Sequence, residues 1–235
     1  MIAENINSIK SELPATVKLV AVSKFHPFES IREAYHAGQR CFGESRPQEL
    51  LAKVRRLEEL RAELADPMYM SDLEWHFIGH LQTNKLKMVL PYVSLVQSVD
   101  SLHLLEAIDR WGSNNGKVTD ILLECHISSE ESKQGFSREE VLDLISSSES
   151  YPYVRVRGVM GMASLTDDEA VVRNDFQSLL DIHDMISDWI GESPLLPPSC
   201  GCGEISMGMS GDYPVAVSMG ATIIRLGSII FGDRS

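Results

Sequence analysis

The sequence predicts an α/β fold, a single (β/α)8 barrel of the TIM type with an extra helix at its N-terminus. Strand-like and helix-like segments alternate along all 235 residues, which favours a parallel sheet with helices between its strands. Eight strand-like segments occur, the number that a closed barrel of this type contains. No linker separates a second domain, so we expect one domain over residues 1–235. A doubly wound open sheet is the alternative, but its G-x-G-x-x-G fingerprint is missing after the first strand.

The first half of the chain provides four of the predicted strands. Residues 1–14 have an amphipathic pattern that predicts the extra N-terminal helix. The short β-branched run that follows is typical of a buried parallel strand. Ser45 with Gln48 makes a capping box, which predicts that a helix begins there after the second strand. The four predicted strands are Leu19–Val22, Cys41–Phe42, Glu74–Gly79 and Tyr92–Gln97.

The second half of the chain repeats this alternation four times. Ser137 with Glu140, and Thr166 with Glu169, make capping boxes that predict the starts of two helices. A proline-rich loop over residues 193–199 precedes a weak seventh strand. The predicted strands are Val118–Cys125, Val154–Met160, Glu204–Ser206 and Thr222–Leu226, with a helix over Tyr213–Met219 before the last of them.

Composition excludes several classes of protein. The formal net charge of −13 argues against nucleic acid and anionic membranes as partners. No apolar run approaches the ~20 residues that span a bilayer, and the N-terminus lacks the features of a signal peptide. The cysteines Cys41, Cys125, Cys200 and Cys202 lack the spacing of a metal site, so we expect no metal. A reducing, cytoplasmic location is the expectation.

Lys24 stands where the first predicted strand ends. Because side chains alternate between the faces of a strand, Lys24 is expected to point the same way as Val20 and Val22, into the mouth of the barrel. Removal from water disfavours the ammonium form, so the pKa of such a lysine falls and its free amine condenses with aldehydes. A solvated loop lysine is the alternative, which this residue alone leaves open.

Two glycine-rich loops follow the last two predicted strands. In the first, Ser210 can cap the helix that follows, and the exposed amides around it can bind an anion. In the second, Gly227 and Ser228 supply further amides at the neighbouring strand end. Barrels of this type often bind phosphate between these two loops. Ordinary loop glycines and caps are the alternative for either loop taken alone.

Arg225 interrupts the apolar last strand and, by alternation with Ile223, points inward. A buried guanidinium does not readily lose its proton, so it needs a partner, either a structural salt bridge or a ring nitrogen or carboxylate of a ligand. One barrel mouth would then hold an amine, a phosphate site and an arginine. These three groups match the aldehyde, the phosphate and the ring nitrogen of pyridoxal phosphate. A phosphate-binding barrel that forms no Schiff base is the alternative.

The chain resembles the pyridoxal-phosphate-binding homeostasis proteins, the YggS or PROSC family, over nearly its whole length. The motifs that carry the resemblance are Ala21–Lys24, Phe42–Glu44, Trp75–Lys85, Glu131–Phe136, Ser206–Ser210 and Arg225–Gly232. The resemblance implies a single barrel like the N-terminal domain of bacterial alanine racemase. It also implies a Schiff base on Lys24, a phosphate held by Ser210 with Gly227 and Ser228, and Arg225 facing the pyridine nitrogen.

The resemblance implies a carrier of vitamin B6 cofactor that limits free aldehyde and passes pyridoxal phosphate to apoenzymes. An arginine opposite the ring nitrogen leaves that nitrogen unprotonated, which makes the cofactor a weaker electron sink. Alanine racemase draws a tyrosine base from a second domain that has no counterpart here. We therefore expect no catalytic residue, no amino-acid turnover and a monomer. A racemase-like enzyme that acts on an amino acid through the same lysine is the alternative.

Three positions depart from the family pattern. Ser45 replaces an asparagine after Phe-Gly-Glu, His126 replaces the asparagine of Val-Asn-Ile, and Ala221 replaces the serine of Gly-Ser-Thr. We expect these changes to alter fine contacts and to leave the lysine, arginine and phosphate groups in place. We also expect His80, at the barrel mouth, to be a solvated residue rather than a proton carrier.

Overall fold

The fold is a closed barrel of eight parallel strands, given by a computed structural model that describes residues 1–128, 134–146, 151–187 and 203–232. The strands follow one another around the barrel in chain order, and the last pairs with the first. They are β1 (Lys18–Val22), β2 (Cys41–Glu44), β3 (Glu74–Phe77), β4 (Leu95–Val99), β5 (Thr119–Cys125), β6 (Val154–Gly161), β7 (Glu204–Ser206) and β8 (Ile223–Leu226). The predicted (β/α)8 barrel is confirmed, and the open sheet is excluded.

The helices alternate with the strands along the chain. Within the described ranges they are α1 (Ile2–Glu12), α2 (Phe28–His36), α3 (Pro47–Glu63), α4 (Leu86–Val89), α5 (Leu102–Asn115), α6 (Arg138–Ser146), α7 (Glu169–Ile186), α8 (Tyr213–Ser218) and α9 (Ser228–Phe231). The extra N-terminal helix, α1, packs against α2 and α9, and Asn5 Nδ2 donates to the Ile230 carbonyl at 3.0 Å. Among the helices described, none combines the length and the apolar character that crossing a membrane requires.

Alternation along the strands divides the core into two parts. Residues such as Ala21 and Phe42 pack outward, in the large cluster between the strands and the helices. The barrel interior holds a smaller cluster of Val20, Cys41, Leu95, Leu122, Met160 and Ile223. Because every second residue of a strand faces the same way, Glu124 and Arg225, two residues beyond Leu122 and Ile223, also face the interior.

Of the three predicted capping boxes, one is confirmed and two are wrong. Ser137 N donates to Glu140 Oε2 at 2.8 Å, and Glu140 N donates to Ser137 Oγ at 3.2 Å, so this box closes in both directions. At α7 the cap is Asp168, whose carboxylate accepts from Ala170 N at 2.9 Å, because a charged acceptor is favoured at a helix N-terminus over the predicted Thr166.

The start of α3 also differs from the prediction. The helix begins at Pro47, and the residue before it, Arg46, makes no side-chain cap. Ser45 instead packs its backbone against Gly79, where an added Cβ would lie 2.3 Å from the Ser45 carbonyl oxygen. The packing of two neighbouring strand ends therefore places Ser45 outside the helix. The fourth strand is displaced as well: it was predicted over Tyr92–Gln97 and occupies Leu95–Val99.

The carboxyl ends of the strands meet at one end of the barrel. We call this end the mouth and define it by residues 23–26, 124–128, 207–212 and 227–229. The motif residues Glu131–Lys133, the proline-rich loop at 193–199, and Cys200 and Cys202 lie outside the described residues. The assignment of the whole of residues 1–235 to one domain stays a prediction.

Candidate functional site

Lys24 lies at the mouth, two residues after the end of β1, and is half-buried. The backbone around it is held on both sides. Ser23 N donates to the Gly43 carbonyl at 3.1 Å, and Phe25 N donates to Glu49 Oε2 at 2.8 Å. Phe25 has a φ of 68°, a conformation that is uncommon for a residue other than glycine. These contacts fix the turn from which the Lys24 side chain starts.

A buried ion pair supports this turn from outside the barrel. Lys53, on α3, donates from Nζ to Glu44 Oε1 at 2.5 Å and to the Ser23 carbonyl at 2.8 Å. Ser23 Oγ donates to the same Glu44 oxygen at 2.5 Å. Burial raises the pKa of Glu44, and the neighbouring Lys53 ammonium lowers it in part. The residue directly before Lys24 is thus tied to β2 through its hydroxyl group and to α3 through its carbonyl group.

Arg225 lies inside the barrel on β8, as its alternation with Ile223 predicts, and only 5% of it is exposed. Nη1 donates to Ser206 Oγ at 2.5 Å, and Nη2 donates to the Gly161 carbonyl at 3.0 Å. Within the described ranges no carboxylate oxygen lies within 4.0 Å of this guanidinium, so no structural salt bridge is present there. A guanidinium has five N–H donors. Two of them have acceptors among the residues described, which leaves donors for a ligand.

Ser206 connects Arg225 to two further buried polar side chains. Ser206 Oγ and Gln97 Oε1 lie 2.7 Å apart, and Gln97 Nε2 and His76 Nδ1 also lie 2.7 Å apart. All three side chains are buried, and burial lowers the pKa of His76 to about 3. His76 lies on β3, points into the barrel and ends a hydrogen-bond chain that starts at Arg225.

The two predicted phosphate loops are neighbours at the mouth. Arg225 N donates to the Gly208 carbonyl at 3.0 Å, which ties the loop after β7 to β8. Gly208 has a φ of +95°, and an added Cβ would lie 2.6 Å from the Ala216 methyl carbon, so glycine is required there. Ser210 does not cap α8 as predicted. The residue before α8 is Asp212, whose carboxylate accepts from Met209 N at 2.5 Å.

The loop after β8 lies beside Lys24. Gly227 precedes α9, and an added Cβ there would contact Val22 at 3.5 Å. On the other side of Lys24, the His26 ring stacks on the Phe231 ring of α9 with centroids 4.9 Å apart. Ser228, the first residue of α9, is exposed. The N–H groups of Ile230 and Phe231 each donate to the Gly227 carbonyl at 2.9 Å, so among the described residues the N–H groups of Ser228 and Ile229 are the ones left for a ligand. The predicted site residues therefore gather at one end of the barrel.

Glu124 also faces the interior at the mouth and was not predicted as a site residue. Only 8% of the residue is exposed. Burial raises the pKa of Glu124 to about 7; the Asp100 carboxylate raises it further, whereas Arg225 and His80 lower it. His80 is half-exposed, and its Nδ1 lies 2.9 Å from Asp100 Oδ2. The alternation of Leu122 and Glu124 along β5 was the signal that would have identified this carboxyl group.

Glu124 should make the stability of the protein depend on pH. Because folding favours its protonated form, the free energy of unfolding should fall as the pH rises from about 4.5 to about 7. The loss should reach about 3 kcal/mol at most, at ~1.4 kcal/mol per pKa unit. Glu124→Gln should remove this component, which urea unfolding of both proteins at several pH values measures. Glu58→Gln, at an exposed glutamate of α3, should keep the wild-type slope. An unchanged slope in Glu124→Gln would contradict the assignment.

A family model and curated relatives match this chain along its length. The model for the N-terminal domain of alanine racemase matches residues 1–235. The "Pyridoxal phosphate homeostasis protein" of Haemophilus influenzae is 34% identical over 220 residues, which cover 94% of this chain and 86% of the relative. The protein of the same name from Aquifex aeolicus is 37% identical over 217 residues, which cover 92% of this chain and 87% of the relative.

Solved structures agree with these matches. PipY of Synechococcus elongatus, solved with PLP bound, shares 36% identity with a TM-score of 0.79, and the match covers 99% of this chain and 100% of PipY. Alanine racemase of Clostridium difficile shares 15% identity with a TM-score of 0.72, over 99% of this chain and 56% of the racemase, which shows likeness of fold alone. The identities and coverages together establish that this chain belongs to the pyridoxal phosphate homeostasis protein family, within the alanine racemase N-terminal domain family.

Proposed function

We propose that this protein binds pyridoxal phosphate, holds it as a Schiff base on Lys24, and serves vitamin B6 homeostasis. The observation that carries the proposal is the placement of a buried Arg225, with N–H donors to spare, at the end of the barrel where Lys24 lies. In the proposed complex Arg225 faces the pyridine nitrogen, and Ser210, Gly227 and Ser228 hold the phosphate. The solved structure of PipY with PLP bound, at 36% identity, supports the same ligand.

The residues present fit each part of this cofactor. The amine of Lys24 condenses with an aldehyde by forming a C=N bond and releasing one water molecule. The amides at the start of α9, and those of the adjacent loop after β7, can donate to phosphate oxygens. Arg225 can donate to an unprotonated ring nitrogen, which accepts one hydrogen bond. Glu124, with a pKa raised to about 7, leaves the positive charge of Arg225 incompletely balanced, which favours an anionic ligand.

We infer the role as a cofactor carrier from Arg225 and not from Lys24. A guanidinium holds its proton tightly, so it donates to the pyridine nitrogen without protonating it. The bound cofactor is then a weak electron sink, and loss of the α-proton of an amino acid gains little from it. We therefore propose buffering of the cofactor and its delivery to apoenzymes, by a monomer in the cytoplasm, without amino-acid turnover. The name shared by the curated relatives supports this role over an enzymatic one.

A racemase-like enzyme is the second candidate, because the barrel shares its fold with alanine racemase. The two candidates differ in one observable. An enzyme that removes the α-proton exchanges the α-deuterium of an added amino acid with solvent over many turnovers. A carrier leaves the deuterium in place apart from stoichiometric traces. Alanine and several other deuterated amino acids, followed by NMR with the loaded protein, distinguish the two candidates.

Titration of the full-length protein with pyridoxal phosphate tests the proposed function. Visible absorbance should change until about one equivalent is bound, and the change should persist after gel filtration. Pyridoxine phosphate is the matched ligand, because it carries the phosphate and the ring but no aldehyde. It should compete for the site without producing the visible band. If both ligands bind without a visible band, the site is a phosphate-ester site that forms no Schiff base. If neither binds, the proposed function is wrong.

A further inference from the structure

Four buried side chains form one continuous chain of hydrogen bonds through the barrel interior. Arg225 Nη1 contacts Ser206 Oγ at 2.5 Å, Ser206 Oγ contacts Gln97 Oε1 at 2.7 Å, and Gln97 Nε2 contacts His76 Nδ1 at 2.7 Å. The chain crosses the barrel from β8 through β7 and β4 to β3. Exposed fractions of 5%, 0%, 0% and 2% along it mean that little water is available to replace a missing partner.

Arg225 sets the direction of every hydrogen bond in this chain. A guanidinium only donates, so the Ser206 oxygen accepts from it and the Ser206 hydroxyl proton is left to donate elsewhere. The Gln97 carbonyl oxygen accepts the hydrogen bond from this hydroxyl group. The Gln97 amide then donates to His76 Nδ1, which must be unprotonated to accept. The imidazole is therefore neutral, with its proton on Nε2.

The opposite orientation of the Gln97 amide is less favourable. Gln97 Nε2 would then donate to Ser206 Oγ, which already accepts from Arg225. The Ser206 hydroxyl proton would have no acceptor among the described residues, because Arg225 and Gln97 are the partners of that hydroxyl there. A buried donor without an acceptor is costly, so this arrangement is disfavoured.

We infer that Ser206 and Gln97 are positioning residues for Arg225. The chain they form keeps the guanidinium aimed at the ring nitrogen of the ligand. It also holds His76 as the neutral Nε2–H tautomer. The inference rests on the proposed function for the identity of the ligand, whereas the polarity of the chain follows from hydrogen bonding alone. Burial of His76, and the Lys18 ammonium beyond it, lower the pKa of the imidazole to about 3 and agree with a neutral ring.

The far end of the chain supports the same polarity. A ring nitrogen of His76, Cys41 Sγ and a Glu74 oxygen lie within 4.8 Å of one another, a grouping that could also suggest a metal site. Lys18 Nζ lies 3.2 Å from Glu74 Oε2, so this carboxylate is already paired with the lysine ammonium group. Burial raises the pKa of the Cys41 thiol well above its usual range, which keeps the thiol protonated. In the inferred tautomer His76 Nε2 carries a proton and Nδ1 accepts from Gln97, so neither nitrogen is available as a metal ligand.

Long-range ¹H–¹⁵N NMR of the full-length protein without ligand measures the tautomer directly. His76 should show the pattern of a neutral Nε2–H imidazole from pH 5 to pH 8. His80 is the internal reference, because its Nδ1 faces the Asp100 carboxylate and must carry a proton to donate, in contrast to the unprotonated Nδ1 expected of His76. A His76 that is protonated on Nδ1, or charged in this pH range, overturns the inferred polarity.

Gln97→Glu should reverse the direction of the last hydrogen bond of the chain, the one to His76 Nδ1. A carboxylate only accepts, so it would accept from Ser206 on one side and require a proton on His76 Nδ1 on the other. The His76 pattern should change to Nδ1–H or to the imidazolium form. Ser98→Ala is the matched control on the same strand, since the Ser98 hydroxyl donates to the Gly79 carbonyl, outside the chain. It should leave the His76 pattern unchanged. A Gln97→Glu protein that does the same while the new carboxyl group is ionised, which its ¹³C chemical shift reports, would refute the chain.

Ser206→Ala tests the positioning role. The Nη protons of Arg225, which two fixed acceptors hold in place, should give separate slow-exchanging signals in the wild-type protein and averaged signals in the variant. Affinity for pyridoxal phosphate should fall about tenfold, the factor that corresponds to one hydrogen bond to a charged group. Ser206→Thr keeps the hydroxyl and should restore both readouts.

The outcomes separate the inference from the proposed function. Wild-type Nη signals and affinity in Ser206→Ala would refute positioning by Ser206. If Ser206→Ala does not fold, Gln97→Leu breaks the chain one link further on, and the same two readouts apply. A wild-type protein that binds no pyridoxal phosphate refutes the proposed function, whereas the His76 tautomer and the Arg225 signals still decide whether the chain exists.

Discussion

Replacing Lys24 by alanine is expected to abolish covalent attachment of pyridoxal phosphate and the visible band that accompanies it. No other amine is expected to substitute, because attachment needs an amine that reaches the ligand while Arg225 and the phosphate loops hold the ring and the phosphate. These groups stay in place in Lys24→Ala, so the variant should still bind the cofactor non-covalently. Gel filtration should then remove the cofactor from the variant and leave it on the wild-type protein.

Borohydride reduction makes this prediction specific for one residue. Reduction converts a Schiff base into a stable secondary amine, so the wild-type peptide that contains Lys24 should gain the mass of the reduced cofactor. Lys24→Ala should show no such peptide. Lys87→Ala, at an exposed lysine of α4, is the matched control and should label like the wild-type protein. Stoichiometric labelling of another lysine in Lys24→Ala, with the visible band kept, would assign the attachment to that residue instead.

The barrel was predictable because its pattern repeats with two simple periods. Alternation of strands and helices indicated the parallel barrel, and the period of two placed Arg225 inside it. The same period also places two further polar residues inside the barrel. Gln97 and Glu124 each follow an interior leucine by two residues, at Leu95 and Leu122. A polar side chain at an interior position of a barrel strand therefore indicates a buried network or a site.

The partners of a buried residue were much less predictable than its direction. The sequence predicted that the partner of Arg225 is either a structural salt bridge or a ligand. The acceptors found in the structure are a hydroxyl group from β7 and a carbonyl group from β6, and which residues face β8 depends on the register of three strands. The helix cap predicted at Ser45 failed for a related reason. A capping box describes four residues of chain, whereas Ser45 is placed by its packing on Gly79, which is distant in sequence.

The position of Lys53 in the sequence also indicated a buried partner. It lies three residues after Leu50 and next to Val54, on the apolar face of α3, where all three residues are buried. A charged residue on the buried face of a helix needs a partner in the core. Its partner, Glu44, follows the glycine of a family motif, and the two residues meet behind the backbone of Ser23. The ion pair therefore links the stability of the fold to the placement of Lys24.

Lys53→Met is accordingly expected to destabilise the protein and to weaken cofactor loading together. Removal of one partner of a buried ion pair costs about 3–5 kcal/mol, because it leaves the other charge buried without compensation. We expect the lower end of this range, since burial already raises the pKa of Glu44 and this carboxyl group can take up a proton. The Ser23 carbonyl also loses its donor, so the turn before Lys24 should loosen. Urea unfolding measures the first effect, and the yield of reduced Lys24 peptide measures the second.

A second substitution distinguishes the loss of the ion pair from general damage to α3. Lys53→Met combined with Glu44→Gln leaves no buried charge, and the glutamine oxygen can still accept from Ser23 Oγ. The double variant should therefore be more stable than Lys53→Met alone, which additivity of independent sites does not allow. Arg56→Met removes an exposed ion pair with Glu63 from the same helix and should unfold close to the wild-type midpoint, because exposed pairs contribute little. If the double variant is less stable than Lys53→Met, the lysine contributes mainly by packing, and the ion pair does not secure Ser23.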